Sequence, residues 1–402
     1  MIVFVVNCGS SSIKYQLFDM TDESVLARGL LERVGQSGSV LHHRSDETTH
    51  EIEVDAPNHT VGLKIILDTL VDPKIGVLKN IEEIEGVGHR VVHGGEQIRE
   101  STLIDDNVIK VIKDNASLAP LHNPPNLAGI EAAMSALSNV PQVAVFDTAF
   151  LATLPPRAYR YAVPRQWYEK YRVRRYGFHG TSHRYVTLRA AEILGKSVEE
   201  VNLITAHLGN GCSMTAVAGG KAIDHSMGLT PLEGLVMGTR SGDIDPAVIF
   251  YMARTAGMSL DEIDTTLNKK SGLLGLSGVS NDMRDCIEAA EKGNTDAALA
   301  MEVFSYRVAK YIGAYFAILP GCDAIIMTGG IGENSLPIRL RICQLLSNIG
   351  VIPDEKRNEE AIRKVGLITA DDSKIPVWII PTNEELMIAR DTRDVVEQMA
   401  VK

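Results

Sequence analysis

Residues 2–6 are all apolar and run into the small, polar segment Asn7-Cys8-Gly9-Ser10-Ser11-Ser12. Beyond it Ile13, Tyr15 and Leu17 alternate with Lys14 and Gln16, the two-residue period of a strand with one buried face. The pattern predicts strand, tight loop, strand. Such a loop presents several backbone N–H groups with no Cβ in the way. It reads either as an ordinary hairpin turn or as a phosphate cradle with Lys14 in reach of a phosphate oxygen. It is not a Walker loop, because no G-x-x-x-x-G-K-[ST] occurs and the next element reads as a strand. The design returns at residues 201–218. There apolar Leu203-Ile204-Thr205-Ala206 leads into His207-Leu208-Gly209-Asn210-Gly211, and alternation resumes from Ser213 to Val217. Aligning Gly9 with Gly209 sets Asn7 opposite His207. Two such hairpins in two halves predict an internal duplication that clamps one nucleotide between domains. A third glycine-rich turn, residues 328–334, follows an apolar strand and precedes a helix; it is expected to form the wall for the nucleoside.

Elsewhere the periodicity predicts helices over 61–70, 126–137 and 294–317, and strands over 85–96, 142–146 and 377–380. Asp147 ends the buried strand 142–146. Ligands gather at such strand ends in α/β sheets, although a carboxylate there also caps turns. His89 and His93 have the spacing of a helical zinc pair, but Gly86, Gly88, Gly94 and Gly95 oppose a helix. Arg90 is the better candidate, because its planar fork suits a carboxylate or phosphate. Val92, two residues on, is expected on the same side. His122 sits in a proline-rich loop, 117–125. Thr181 or Ser182 reads as the N-cap of a helix reaching Leu194, which leaves His179 just before a helix N-terminus, where an anion is favoured. Gly238, Arg240 and Gly242 make a bare loop presenting one arginine, placed to stabilise phosphoryl-transfer charge, and Asp245-Pro246 opens the next helix. Thr382-Asn383-Glu384-Glu385 reads as a capping box that explains Glu385 and leaves Glu384 over.

The length of 402 residues suits two domains, expected as 1–149 with 385–402 returning to it, and 150–384. Hydrophobic content of 45% is that of a soluble globular enzyme, and no apolar run approaches a membrane span. The apolar start has no basic flank, so it does not read as a signal peptide. Five cysteines without a C-x-x-C pair read as reduced thiols in a cytoplasmic protein. A net charge of −11 argues against nucleic acid and makes any arginine in an anion site a local feature.

In order along the chain stand NCGSSSIKY, GHRVVHGGE, LAPLHNPPN, FDTAF, RRYGFHGTSH, HLGNG, DHSMGLTPLEGLVMGTRSGDIDP, TGGIGEN and IPTNEEL. Together they resemble the acetate kinase family, within the superfamily of acetate and sugar kinases, Hsp70 and actin. The resemblance implies an α/β, duplicated, ribonuclease H-like two-domain fold with a nucleotide cleft between the domains. It implies reversible, Mg²⁺-dependent phosphoryl transfer from ATP to acetate, with Mn²⁺ as the alternative ion, by a homodimer. Asp147, His179 and Arg240 become the catalytic set. Arg90, Val92, Leu121, His122, Phe178 and Pro231 become the substrate site. The ATP site takes Ser10, Ser12, Lys14, His207, Leu208, Gly209, Asn210, Gly211, Asp282, Met283, Arg284, Gly330, Ile331, Gly332, Glu333 and Asn334. Asn7 and Glu384 become the metal site. One departure stands out: FDTAF is followed by Leu151-Ala152-Thr153-Leu154 where the family has His-Gln-Thr-Met, a change expected to affect packing or a hinge network and not the chemistry. Acetate, with a pKa near the ~4.3 of glutamate, is already ionised at neutral pH and needs no general base. A propionate kinase and an actin- or Hsp70-like ATPase are the alternatives. Val92 favours the shortest chain, though one methylene is worth only about 1–3 kcal/mol.

Overall fold

The computed structural model describes residues 1–45, 48–120 and 122–400, residue 400 by its backbone alone. The chain forms two compact units, Met1–Phe150 with Asn383–Lys402, and Leu151–Thr382. In the first, eight strands form one sheet: β1 (Ile2–Cys8), β2 (Ser12–Asp19), β3 (Ser24–Glu32), β4 (Ser39–Ser45), β5 (Thr48–Val54), β6 (Ile84–Val91), β7 (Thr102–Leu103) and β8 (Gln142–Phe146). Their order is β5-β4-β3-β2-β1-β6-β8-β7. β1 runs antiparallel to β2 and parallel to β6, which is parallel to β8.

Alternation along these strands sorts their side chains onto two faces. On β1, Phe4, Val6 and Cys8 enter a core shared with Leu63 and Ile66 of the helix His59–Leu70 and with Ala132 and Ala133 of the helix Asn123–Ala136. Val3 and Val5 point the other way, onto Ile388 and Ala389 of the C-terminal helix Glu384–Ala400. The same parity puts Asn7 of β1, Arg90 of β6 and Asp147 after β8 on the side of that helix, at the carboxyl ends of three adjacent strands. The helix lies close because Gly88 lets it. A Cβ there would stand 2.4 Å from Thr392 Oγ1 and 2.7 Å from Ile388 Cγ2. The close approach brings the helix N-terminus, with Glu384 and Glu385, to the strand ends.

The second unit carries β9 (Asn202–Leu208), β10 (Cys212–Ala218), β11 (Lys221–His225), β12 (Ala324–Thr328), β13 (Gly366–Leu367) and β14 (Val377–Ile379), in the order β11-β10-β9-β12-β14-β13. β9 is antiparallel to β10 and parallel to β12, and β12 is parallel to β14. The run β11-β10-β9-β12-β14 therefore repeats β3-β2-β1-β6-β8 strand for strand, which is the expected duplication. β1 and β9 are both seven residues long and bury the same positions, 3–6 and 8 in one and 203–206 and 208 in the other. Asn7 and His207 are the matching half-buried residues.

Boundaries differ where local chemistry outweighs periodicity. The helix expected from 126 starts at Asn123, because Pro124 and Pro125 fit a first turn that needs no amide donors. Residues 328–334 are not a turn ahead of a helix: Gly329–Asn334 is itself helical, with Thr328 at its N-cap. Among the described residues no helix is long and apolar enough to cross a membrane.

His89, the residue before Arg90 on β6, is buried and donates from Nε2 to Gln142 Oε1 at 2.8 Å. Burial pushes its imidazole down to about 4. The unfolded chain, with an ordinary histidine near 6.5, takes up the proton first. Stability is thus lost as pH falls from about 6.5 toward 4, by up to about 3 kcal/mol from this residue. Thermal unfolding followed from pH 7.5 to 5 should show a falling midpoint, and the fall should be smaller in His89→Gln. Equal falls would remove His89 as a source.

Candidate functional site

In the first unit the site is built on the helix side of the sheet. Arg90 Nε and Nη2 donate to Asp147 Oδ1 and Oδ2 at 3.0 and 2.7 Å, a two-point fork. Asp147 is buried, and its own N–H donates to Val91 O at 2.9 Å, which ties the strand end down. The Asp147 charge, with Glu384 3.9 Å from Arg90 Nε, raises the guanidinium further above its ordinary range. Lys14 pairs with Glu385. That ion pair replaces the expected capping box. The cap on the C-terminal helix is instead Asn383, whose Oδ1 accepts from Leu386 N at 3.1 Å.

This group holds two cations, Arg90 and Lys14, against three carboxylates, Asp147, Glu384 and Glu385. The surplus falls on Glu384. Burial, with Asp147 and Glu385 beside it, pushes its carboxyl up to about 7 against the pull of Arg90. A carboxylate so disfavoured, on the same sheet edge as the Asn7 amide, fits a divalent cation, which would restore its charge. Val92 lies past the end of β6, buried, with its N–H on Asn126 Oδ1 at 3.1 Å. His122 is the N-cap residue of the helix Asn123–Ala136. Leu121 lies outside the described residues. Ser10 and Ser12 flank the β1–β2 turn, closed by Gly9 N on Ser12 O at 2.9 Å. No cluster of three metal-binding side chains occurs among the described residues.

In the second unit a helix, Gly180–Leu194, starts two residues earlier than expected. Its N-cap is His179 itself, left-handed at φ 58°. Neither Thr181 nor Ser182 caps it; Ser182 Oγ instead bonds His207 Nδ1 at 2.8 Å and Thr382 Oγ1 at 2.9 Å. A non-glycine residue in that region stores of order 1 kcal/mol or more, which the surroundings must offset. They do so through a buried polar network. His179 Nδ1 lies 2.9 Å from Ser213 Oγ, and His183 Nε2 lies 2.8 Å from the same oxygen. His183 Nδ1 is 2.7 Å from Thr205 Oγ1. The rings of His179 and His207 are 4.5 Å apart.

Arg240 is the cation of this group. Its Nη1 donates to Pro231 O at 3.1 Å and contacts Met237 Sδ at 3.5 Å. Among the described residues it has no carboxylate partner, and burial lowers its pKa from the usual arginine value. A Cβ added to Gly211 would stand 3.4 Å from His179 Nε2 and 3.6 Å from Arg240 Nη1. The two donors therefore converge on the bare β9–β10 turn, where Gly209 N bonds Gly211 O at 3.1 Å. Asn210 meets the arginine loop: its carbonyl accepts from Gly238 N at 2.9 Å and its side chain from Asn281 Nδ2 at 3.0 Å.

Of the other expected nucleotide residues, Asp282 caps the helix Met283–Glu291, Met283 is buried, and the exposed Arg284 is paired with Asp282. Gly330 faces open space. Leu208 and Gly332 are buried beside it at the β9 and β12 ends, with Ile331 and Asn334 on the same short helix. Glu333 is occupied: its Oε1 accepts from Thr328 Oγ1, Gly329 N and Thr382 N at 3.1, 2.9 and 3.1 Å, so it stitches the loop. Phe178 is buried and its N–H donates to His225 Nε2 at 3.1 Å. At the departure from the family pattern, Leu151 and Leu154 are buried and Thr153 Oγ1 donates to Ala222 O at 2.9 Å, an apolar packing solution.

Sequence reasoning missed the hub that holds the arginine loop. Arg175 Nη1 donates to the carbonyls of His225, Ser226 and Met227 at 2.6, 3.1 and 3.0 Å. Its Nη2 reaches Glu233 Oε1 at 2.7 Å, and Tyr161 OH closes on the other carboxylate oxygen. Gly228 leaves room for that pair, since a Cβ would meet Glu233 Oε2 at 1.8 Å. The basic run 172–175 was the only signal in the sequence.

Residues 2–390 match the model of the Acetokinase family. The acetate kinase of Thermotoga maritima is 57% identical over 401 residues, covering 99% of this chain and 100% of that protein. That of Clostridium novyi is 52% identical over 402 residues and covers 100% of both. The crystal structure of Porphyromonas gingivalis acetate kinase matches with a TM-score of 0.94 at 47% identity, covering 98% of this chain and 99% of that one. A propionate kinase from Francisella tularensis matches at 0.92 and 43%, with the same coverage. The chain belongs to the Acetokinase family.

Proposed function

We propose that this chain catalyses reversible transfer of the γ-phosphoryl group of ATP to acetate, giving acetyl phosphate and ADP. The observation that carries the reading is Arg240, a half-buried guanidinium with no carboxylate partner among the described residues, beside His179 and a bare glycine turn. Such a cation suits an anion that the resting protein does not supply. The full-length likeness to acetate kinases supports acetate as the acceptor.

The acceptor oxygen needs no base, so catalysis rests on charge neutralisation and in-line alignment. Arg90, held flat by Asp147, binds the carboxylate. Asp147 acts by aiming that fork and not by taking a proton. Val92 bounds the acyl group, with His122 in the same unit. Arg240 and His179 donate to the phosphoryl oxygens as charge shifts between the leaving and attacking groups. Backbone donors of the turns at residues 9–12 and 207–211, with Lys14 and Arg284, hold the phosphates and nucleoside, and Gly330 leaves space for the base. Glu384 and Asn7 would hold Mg²⁺ or Mn²⁺, which neutralises phosphate charge when bound. A homodimer suits the helix Ala247–Thr255, which buries no residue and exposes Val248, Phe250 and Tyr251. A cytoplasmic location suits five free cysteines.

ATP turnover with Mg²⁺ and hydroxylamine, which traps acyl phosphates, checks the reaction. Hydroxamate should form best with acetate and less well with propionate, and ATP loss should be slow without a carboxylate. Propionate preference would move the assignment to the sister enzyme, and carboxylate-independent ATP loss without hydroxamate would defeat it.

Metal binding has its own readout. Because Mg²⁺ needs the ionised Glu384 carboxyl, raised to about 7, the thermal shift produced by MgCl2 should grow from pH 6 to pH 8. Glu384→Gln should abolish the growth. A shift equal at both pH values in the wild type would remove Glu384 from the metal site.

A further inference from the structure

His179 offers the phosphoryl group a proton only if that proton sits on Nε2. A neutral imidazole carries one proton on either nitrogen, and the bond made by Nδ1 decides which. We propose that Thr205, His183 and Ser213 form a hydroxyl–imidazole relay that holds His179 in the Nε2–H tautomer, which makes Thr205, His183 and Ser213 positioning residues for the reaction. The proposal rests on the role given to His179 above.

The direction of the relay follows from its far end. Thr205 Oγ1 lies 2.7 Å from His183 Nδ1 and 3.4 Å from Thr215 O. The short contact takes the hydroxyl proton, because a bond at the long limit is weak. His183 Nδ1 is then the acceptor, so its proton is on Nε2 and goes to Ser213 Oγ at 2.8 Å. Ser213 Oγ accepts that bond and still holds its own proton; among the described residues the one remaining partner in reach is His179 Nδ1 at 2.9 Å, and the proton goes there. The His179 proton is left on Nε2, which lies 3.4 Å from where a Cβ on Gly211 would stand, with Arg240 Nη1 3.6 Å from the same point.

Three features support the chain of bonds. Thr205, His183 and Ser213 are fully buried, so water does not compete for these contacts. Burial, with His225 and His207 nearby, holds His183 well below its ordinary range and hence neutral, as a relay member must be. The strand register sets the spacing: Ser213 pairs with His207 and Thr215 with Thr205 across β9 and β10, so their side chains share the face under the first turn of the helix Gly180–Leu194, where His179 and His183 stand one turn apart. In this tautomer a neutral histidine donates from Nε2, with no additional charge to place beside Arg240.

Long-range ¹H–¹⁵N correlation spectra of the full-length protein labelled with ¹⁵N-histidine report the tautomer directly, with the His179 signals assigned by their loss in His179→Gln. The expected wild-type pattern is a protonated Nε2 and an unprotonated Nδ1 at His179. Thr205→Val removes the first hydroxyl with little change of shape and touches neither His179 nor the nucleotide. It should shift His179 toward mixed tautomers and lower kcat roughly tenfold, the cost of one misdirected hydrogen bond, with KM for ATP and acetate unchanged. Ser213→Ala should do the same more strongly. A wild-type His179 protonated on Nδ1, or a tautomer unmoved in Thr205→Val, overturns the relay whatever the activity. If the tautomer moves while kcat holds, and His179→Gln is equally active, the phosphoryl role of His179 fails and the catalytic part of the proposal fails with it.

Discussion

A guanidinium drawn partly out of water with no carboxylate beside it is costly, and the folded chain must make up that cost elsewhere. Arg240 is such a group, and much of its unit is arranged to hold it. Its Nη1 rests on the Pro231 carbonyl, and the loop that supplies this carbonyl is fastened by Arg175, Glu233 and Tyr161. The far end of the loop is fastened by Asp243, which accepts from Gly234 N at 2.8 Å and Tyr311 OH at 2.7 Å. Left-handed His179 belongs to the same economy. Its strain is held by the network of Ser213, His183 and Thr205, which also directs its ring. These contacts fix Arg240 and His179 in place, the kind of preorganised donor pair that the proposed phosphoryl transfer would use.

The first unit solves the opposite problem. Arg90 is paired at two points with Asp147, so it presents a flat, aimed fork rather than an unmet charge. Its negative surplus sits on Glu384, brought to the strand ends because Gly88 lets the C-terminal helix lie against the sheet. One unit therefore carries an excess cation and the other an excess carboxylate, on the same strand scaffold used twice.

The duplicated scaffold was legible in the sequence because it rests on local pattern. Two strands with an apolar run, a small-residue turn and alternation beyond appear at Asn7 and again at His207, and the strand orders agree. Asp147 and Arg90 were legible for the same reason, since a residue at the end of a buried strand is placed by counting in twos. The errors fell where a distant partner outweighs a local rule. The capping box failed because Lys14, 371 residues away, takes Glu385. The N-cap failed because His179, not a usual cap, is held left-handed by groups on β10. The structural part that Glu333 plays was invisible for the same reason: Thr328, Gly329 and Thr382 all donate to one of its carboxylate oxygens. The Arg175 hub was invisible because its partners lie 50 to 58 residues on, with nothing in the intervening pattern to mark them.

The central claim is that the uncompensated charge of Arg240 is spent on the transferring group. Steady-state kinetics of Arg240→Ala test it most directly. The account predicts a kcat lower by roughly 10² to 10³, as loss of one aimed charge-stabilising donor brings, with KM for acetate changed far less. A near-normal kcat, or a defect confined to KM, would contradict it.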